Sequence, residues 1–252
     1  MPPVLEMRSY QVFRGRTPVI HDLSFGVEAG EVVVLVGRNG AGKTSLLEGI
    51  AGLHDDRGEL RCADQSLAGA SPRRRLRAGL ALCAEGRSLF PEMTVWDNLV
   101  LGGYLWKRSV AVRCAQGFLG RFPLLAERRD QKAGSMSGGE QQLLAVCRAL
   151  MSEPQALLLD EPTAGLAPKY RSGIADLVRE LVAGGDRSVL LVDDNLEFAL
   201  GLADRIIGLA GGREVFRLVR EDRPTPGRIL DELLKAEQRS IVSKFPERSA
   251  HA

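Results

Sequence analysis

The sequence predicts an α/β fold in which buried strands alternate with helices. Three strand-sized, largely apolar runs occupy residues 32–36, 156–161 and 188–192. Each run is followed by polar residues and then by apolar residues at helical spacing, which is the α/β pattern. Residues 4–36 also alternate like antiparallel strands, which predicts a β-rich opening. With 252 residues, 44% of them hydrophobic, the chain is long enough for one large domain with a real core.

A glycine-rich segment directly follows the first apolar run. Residues 37–44 have the sequence GRNGAGKT, which matches the pattern G-x-x-x-x-G-K-S/T. In this pattern the glycines let the backbone wrap a polyphosphate, Lys43 reaches the β and γ phosphates, and the Thr44 hydroxyl ligates Mg²⁺. Helical spacing follows, so the free N–H groups of a helix start also favour an anion. We therefore predict ATP or GTP binding by Gly37, Arg38, Asn39, Gly40, Ala41, Gly42, Lys43, Thr44 and Ser45.

Carboxylates follow the predicted strands at the edge where α/β sheets bind ligands. Asp160 and Glu161 end the second run. Asp160 is placed to hold Mg²⁺, directly or through water, and Glu161 to orient and polarise the water that attacks the γ phosphate. Glu85 follows a further apolar run at 79–84. We interpret Glu85 as a candidate for the metal or the attacking water, with a surface carboxylate that ends a strand as the alternative.

The β-rich opening holds the candidates for contact with the nucleotide base. Phe13 or Tyr10 could stack on an adenine, because aromatic faces suit a flat base. The alternative for both is simple filling between strands, and of the two we favour Phe13 for the adenine contact.

After the helix that ends near Gly52, we predict a short polar connection to the run at 79–84.

Helical periodicity from about residue 92 to residue 150 predicts a helical insert. Within it, Ser137 and Glu140 form a capping box, which is the simplest explanation of their spacing. That box does not explain Gly138 and Gly139, since glycine costs about 1 kcal/mol in helix propensity at each position. The backbone there is therefore expected to approach something closely, as a phosphate would require.

Composition and motif spacing argue against a nucleic-acid-binding, zinc-binding, secreted or membrane-spanning protein. The net charge of +2 leaves no strong electrostatic footprint for nucleic acid, and we interpret the basic run 73–77 as a solvated helix face. The four cysteines form no C-x-x-C pair, and with three histidines they offer no zinc-ligand spacing. The start of the chain shows no secretion signal and the apolar runs are too short to span a membrane, so we expect a cytoplasmic protein.

In this order the motifs resemble those of the ATP-binding cassette family, from Val4 to about Leu234. The Walker A motif is 37–44, the signature motif is 136–142, and Walker B is 157–160. The resemblance implies an α/β P-loop NTPase fold of the cassette type, with an antiparallel β subdomain and an inserted α-helical subdomain. We place the ATPase domain at 1–238, its helical subdomain at 92–150, and a polar tail at 239–252.

The resemblance also implies a mechanism and partners. Two cassettes would dimerise head to tail, with each ATP between the Walker A motif of one chain and the signature motif of the other. The partners implied are a second cassette ATPase, transmembrane permease subunits docked in the groove around residues 85–96 and the helical insert, and indirectly a solute-binding protein, without nucleic acid. The chain would lie on the inner face of the cell membrane. The resemblance assigns Thr44, Glu85 and Asp160 as Mg²⁺ ligands. It also assigns the residues that act on the partner's ATP, which are Ser137, Gly138, Gly139, Glu140 and Gln141.

Two further sequence segments resemble those of the smaller ATPase subunit of branched-chain amino-acid importers. These are the segment from Glu85 to Pro91 and the Gly-Leu-Ala-Pro segment at 165–168. Urea and short-amide importers share both features, so the solute stays open. The implied function is ATP hydrolysis that powers import. The alternative is a catalytically weak, regulatory ATP-binding half of a cassette pair.

The alternative rests on departures from the family pattern. Most cassettes have Gln at the position of Glu85, Asp at the position of Ala167, and a switch histidine at the position of Asp194. A carboxylate at 194 would repel the γ phosphate unless it binds water or metal. We name Asp194 with Glu161 as a catalytic candidate, with a helix N-cap formed by Asp194 or Asn195 as the other explanation.

Overall fold

The structure, a computed structural model, describes residues 2–86, 88–222 and 224–244. The strands are β1 Leu5–Arg14, β2 Thr17–Val27, β3 Val32–Val36, β4 Asp55–Cys62, β5 Gln65–Ser66, β6 Leu80–Cys83, β7 Ala156–Asp160, β8 Ser188–Val192, β9 Arg205–Ala210 and β10 Arg213–Val219. The helices are α1 Lys43–Ile50, α2 Pro72–Arg77, α3 Val95–Gly102, α4 Arg108–Arg121, α5 Pro123–Glu127, α6 Gly138–Leu150, α7 Pro168–Ala183, α8 Leu196–Leu200 and α9 Pro226–Lys244.

The central sheet has the strand order β10-β9-β3-β8-β7-β6. Its strands are parallel except β10, which pairs antiparallel with β9. The predicted α/β class is therefore confirmed. Because β3, β8, β7 and β6 are neighbours and run in one direction, the loops after them meet at one edge of the sheet. That edge carries the candidate site.

The second sheet is antiparallel, with the order β2-β1-β4-β5. The predicted opening hairpin is present as β1 and β2. The predicted polar connection after Gly52 is wrong, because β4, β5 and α2 lie there. In β4 only Leu60 and Cys62 are buried, so its alternation is too weak to indicate a strand from sequence.

The central sheet buries apolar side chains on both faces. Along β3, Val33 and Leu35 pack toward α1 and the antiparallel sheet, whereas Val32, Val34 and Val36 pack toward the helices on the other face. This two-sided burial is why β3 is a continuous apolar run rather than an alternating one. The phosphate-binding segment that follows β3 is thus anchored in the centre of the fold.

Helices α3 to α6 lie between β6 and β7, where the helical insert was predicted. Thr94 caps α3 by accepting a hydrogen bond from the Asp97 N–H at 3.0 Å. The predicted tail begins inside α9, and residues 245–252 lie outside the described residues. Within the part of the chain that the structure describes, no helix is both long and apolar enough to cross a bilayer.

The basic run 73–77 forms α2, and the prediction that it is a solvated face is wrong for its central residue. Arg75 is 1% exposed, and its guanidinium donates to both carboxylate oxygens of Asp56 at 2.9 and 2.8 Å. It also donates to the carbonyl oxygens of Gly49, Ile50 and Ala70. Arg75 therefore ties α2 to β4 and to the last turn of α1, whose carbonyls have no partner within the helix.

Candidate active site

The phosphate-binding loop connects β3 to α1. Gly42 caps the start of α1 with φ +105°, a left-handed conformation that side chains rarely adopt, and a Cβ there would lie 2.8 Å from Ile20 Cδ1. The Lys43 ammonium donates to the Gly37 carbonyl at 2.6 Å and so folds back across the loop. The loop is thus closed on itself with its backbone exposed toward a cleft.

The turn between β9 and β10 supports this loop from the side. The Gly212 N–H donates to the Ala41 carbonyl at 3.0 Å, and the Gly212 carbonyl accepts from the His21 N–H at 2.9 Å. The sequence analysis did not indicate this contact with the loop. Such a contact depends on strands distant in sequence, so no local pattern could indicate it.

An open cleft of about 780 Å³ lies over the loop. It is lined by residues 38–45 and by the acidic side chains of Glu85, Glu161 and Asp194. These acids follow β6, β7 and β8, so the strand order brings together what is scattered in sequence. Further lining residues, which the sequence did not predict, are Arg14, Pro18, Val19, His21, Gly211 and Gly212.

Asp160, the last residue of β7, is 1% exposed, and neither of its carboxylate oxygens has a hydrogen-bond partner among the described residues. Burial raises the pKa of Asp160 to about 6, the charges of Glu85 and Glu48 add to this, and the nearby Thr44 hydroxyl opposes it. Buried orphan oxygens of this kind call for an explanation. A hydroxyl and carboxylates are the oxygen ligands that Mg²⁺ prefers, so Thr44 and Asp160 fit this ion.

Glu161 has the backbone conformation φ +49°, in the left-handed region. Its N–H donates to the Val192 carbonyl at 2.8 Å, and its side chain is half-buried in the wall of the cleft. Burial raises the pKa of Glu161, and the negative charges of Asp194 and Glu85 raise it further. A non-glycine residue held in this region costs about 1–3 kcal/mol, which is typical of functional sites.

Asp193, which the sequence analysis did not single out, organises the loop after β7. Its buried carboxylate accepts from the Thr163 N–H at 3.0 Å, the Thr163 hydroxyl at 2.7 Å and the Asn195 N–H at 2.8 Å. Asn195, not Asp194, caps α8 by accepting from the Phe198 N–H at 3.0 Å. The side chain of Asp194 is left exposed in the cleft.

The structure does not bring Phe13 into the wall of the cleft. The Arg57 guanidinium lies 4.9 Å from the centre of the Phe13 ring, while the neighbouring Arg14 lines the cleft. Successive side chains of a strand point to opposite faces, which separates the two. Tyr10 is fully buried, and its hydroxyl donates to Asp56 at 2.9 Å, so it is strand filling. Base stacking by Phe13 stays a prediction.

The signature motif lies at the start of α6 and outside the wall of the cleft as described. Its capping box is confirmed: the Ser137 N–H donates to Glu140 at 2.8 Å, and the Ser137 hydroxyl accepts from the Glu140 N–H. Arg128 pairs with Glu140 at 2.7 Å, and the Gln141 amide donates to the Ala133 carbonyl at 2.9 Å. The motif is thus a rigid helix start separate from the chain's own phosphate loop.

This fold, with a phosphate loop and strand-end acids in one cleft, defines the class of protein. A family model described as "ABC transporter" matches residues 20–164, more than half of the chain. The chain belongs to the ABC transporter family, whose cassettes bind ATP and hydrolyse it to drive transport. It is therefore an ATPase.

Individual relatives indicate which ABC transporter subunits this chain is similar to. The chain is 40% identical to the high-affinity branched-chain amino acid transport ATP-binding protein BraG of Pseudomonas aeruginosa, over 84% of this chain and 91% of BraG. It is 32% identical to the probable branched-chain amino acid transport ATP-binding protein LivF of Archaeoglobus fulgidus, over 79% and 84%. A solved ATP-binding subunit of an ABC transporter superposes with a TM-score of 0.80, at 27% identity, over 93% of this chain and 99% of the other.

Proposed function

We propose that this chain is the ATP-hydrolysing subunit of an importer for branched-chain amino acids or a related small solute. The cleft carries the proposal, because Lys43, Thr44 and Glu161 line the same space beside Asp160. The solute class rests on the similarity to BraG. Nothing in the comparisons supports the alternative of a catalytically weak, regulatory half.

Each residue has a distinct part in hydrolysis. The N–H groups of the phosphate loop and Lys43 would bind the phosphates and stabilise the charge that develops on them. Thr44, Asp160 and Glu85 would hold Mg²⁺, which when bound neutralises phosphate charge. Glu161 would accept a proton from the attacking water and orient it, and its raised pKa improves it as a base.

A second cassette ATPase, identical or paralogous, would complete each site. In the implied head-to-tail dimer, Ser137, Gly138, Gly139, Glu140 and Gln141 face the ATP of the partner. The position of Ser137 supports this arrangement, because it is exposed at the ordered start of α6, and N–H groups at a helix N-terminus attract a phosphate. Membrane attachment on the inner face would come through permease subunits, which a solute-binding protein supplies with solute.

A largely apolar groove of about 570 Å³ supports the docking of a permease. It lies between residues 80–90 and helix α3, close to the region 85–96 predicted for docking. Exposed apolar side chains line it: Phe90 is 47% exposed, Leu101 36% and Tyr104 50%. Apolar patches of this kind mark interaction sites.

A charge placed in this groove should uncouple the ATPase from its permease. We expect Leu101→Glu to leave basal ATP turnover of the isolated chain unchanged. Permease-stimulated turnover should fall about tenfold or more, as for loss of a central interface contact of about 2 kcal/mol. The measurement is ATP turnover with and without permease. Leu230→Glu on α9, where Leu230 is 53% exposed, is the matched control and should retain stimulation. Equal stimulation in both variants would contradict docking in this groove.

Removing the carboxylate of Asp194 should tighten ATP binding. A unit charge 4 Å from a phosphate charge costs about 1 kcal/mol even in bulk water, so we expect Asp194→Asn to lower the Kd for ATP about fivefold. The measurement is a binding titration in low salt, with the effect shrinking as salt is added. Asp186→Asn, in the exposed turn before β8, is the control. An unchanged or weakened affinity would show that Asp194 binds water or metal instead of repelling phosphate.

Reconstitution tests the proposed function as a whole. The chain, its permease and its second cassette in liposomes are expected to import leucine, isoleucine or valine only when ATP is supplied on the cassette side. Urea and short amides serve as competing solutes. Uptake of these in place of the amino acids would correct the solute, and ATP turnover without any uptake would contradict the import function.

A further inference from the structure

The side chain of Gln142 joins the signature helix α6 to Glu161, the residue proposed as the general base. Gln142 is 2% exposed, and its amide Nε2 donates to the carbonyl oxygen of Glu161 at 3.2 Å. Gln142 lies five residues after Ser137, so it belongs to the helix that would act on the partner's ATP. Glu161 lines the cleft for the chain's own ATP.

The peptide at Glu161 is held on both sides. Its N–H is bound by the Val192 carbonyl at the end of β8, and its carbonyl is bound by Gln142 from α6. Asp193 fixes the loop two residues further on through Thr163. Glu161 needs such restraint because its φ of +49° is unfavourable for a side-chain-bearing residue. Loss of one restraint would let the carboxylate swing away from the position of the attacking water.

A second contact links α6 to the same loop. In the first turn of α6, a Cβ on Gly139 would lie 2.9 Å from the carbonyl oxygen of Gly165. The helix start therefore packs directly against the loop that runs from Glu161 to Leu166. A movement of the signature motif cannot leave this loop in place, because the two surfaces are in contact without a gap.

We infer that Gln142 is a positioning residue that makes the orientation of Glu161 depend on the signature helix of the same chain. The inference rests on the proposed function, in which the signature motif closes over the partner's ATP. When the signature motif closes over the partner's ATP, α6 would press against the loop from Glu161 to Leu166. The Gln142 amide would then fix the orientation of the Glu161 carboxylate. Each chain would then hydrolyse its own ATP efficiently only when the neighbouring site is also filled.

Gln142→Met tests the inference, because methionine keeps nearly the same volume but cannot donate a hydrogen bond. In the complex with permease and second cassette, we expect kcat to fall about 10- to 100-fold, as for a misplaced catalytic group. The KM for ATP should stay unchanged. The Hill coefficient for ATP, which the inference expects to exceed one in the native complex, should fall toward one. Gln131→Met is the control, because the Gln131 amide also donates to a backbone carbonyl, that of Ser135, but not to the Glu161 loop.

Folding and function are separated by two further measurements. The thermal midpoint of Gln142→Met should fall only by the few degrees that loss of one buried hydrogen bond costs. Its binding of a non-hydrolysable ATP analogue should match that of the native chain. An unchanged kcat would overturn the inference, as would a fall in kcat that tracks a loss of folded, ATP-binding protein. An unchanged Hill coefficient would overturn the link between the two sites. If the native complex itself shows no turnover, the proposed function fails instead.

Discussion

Glu161→Gln is expected to abolish measurable ATP turnover while ATP still binds. Glutamine keeps the shape of the side chain but cannot accept the proton of the attacking water, and loss of a general base costs about 10²- to 10⁴-fold in rate. The phosphate loop is unchanged, and the negative charge beside Asp160 is removed, so ATP affinity should be retained or increased. The measurements are steady-state phosphate release and equilibrium ATP binding, alone and with permease and second cassette.

Glu127→Gln provides the matched control for this result. Glu127 ends α5, is exposed and does not line the cleft as described, so its substitution should leave turnover unchanged. Turnover by Glu161→Gln close to the native rate would show that another group activates the water. Loss of ATP binding together with turnover would show that Glu161 supports the loop rather than the chemistry.

Arg75→Met is expected to produce the largest loss of stability among the substitutions considered. Removing one partner of a buried ion pair costs about 3–5 kcal/mol, because it leaves Asp56 as an uncompensated buried charge. The carbonyls of Gly49, Ile50 and Ala70 lose a donor in addition. Denaturant unfolding of the two proteins measures the difference, provided that both unfold in one transition.

Arg73→Met is the control within the same helix, since Arg73 is exposed and its loss should change stability by no more than about 0.5 kcal/mol. Equal stability of the two variants would contradict a structural role for the buried pair. If Arg75→Met unfolds during purification, Arg75→Lys gives a milder test. Lysine keeps the charge but cannot reproduce the two-oxygen contact with Asp56, so an intermediate loss is expected.

The sequence alone was enough to predict those structural features that are encoded by neighbouring residues. The strand leading into the phosphate loop, the helix start that follows the loop and the capping box at Ser137 all depend on spacing within a few residues. They were predicted correctly for that reason. The carboxylates after β6 and β7 were also predictable as site candidates, because the end of a buried strand in an α/β sheet is where ligands bind.

Other features were wrong or missed because they depend on contacts between distant segments. Arg75 looks like its exposed neighbours in sequence, and only the approach of β4 and α1 makes it the centre of a buried network. Gln142 follows the signature motif without any pattern of its own, and its role follows from the packing of α6 against the loop after β7. Strand β4 was missed because most of its side chains are exposed, so it has little hydrophobic alternation.

The sequence by itself predicted the fold class, the strand-loop-helix form of the phosphate-binding segment and Glu161 as the candidate general base, because each is encoded by residues close together in the chain. The tertiary structure alone decided which side chains face the cleft. It places Arg14 rather than Phe13 in the wall of the cleft, shows that Asn195 caps α8, and leaves the side chain of Asp194 in the cleft. Strand order and side-chain direction set these outcomes, and both are properties of the packed sheet rather than of any local segment.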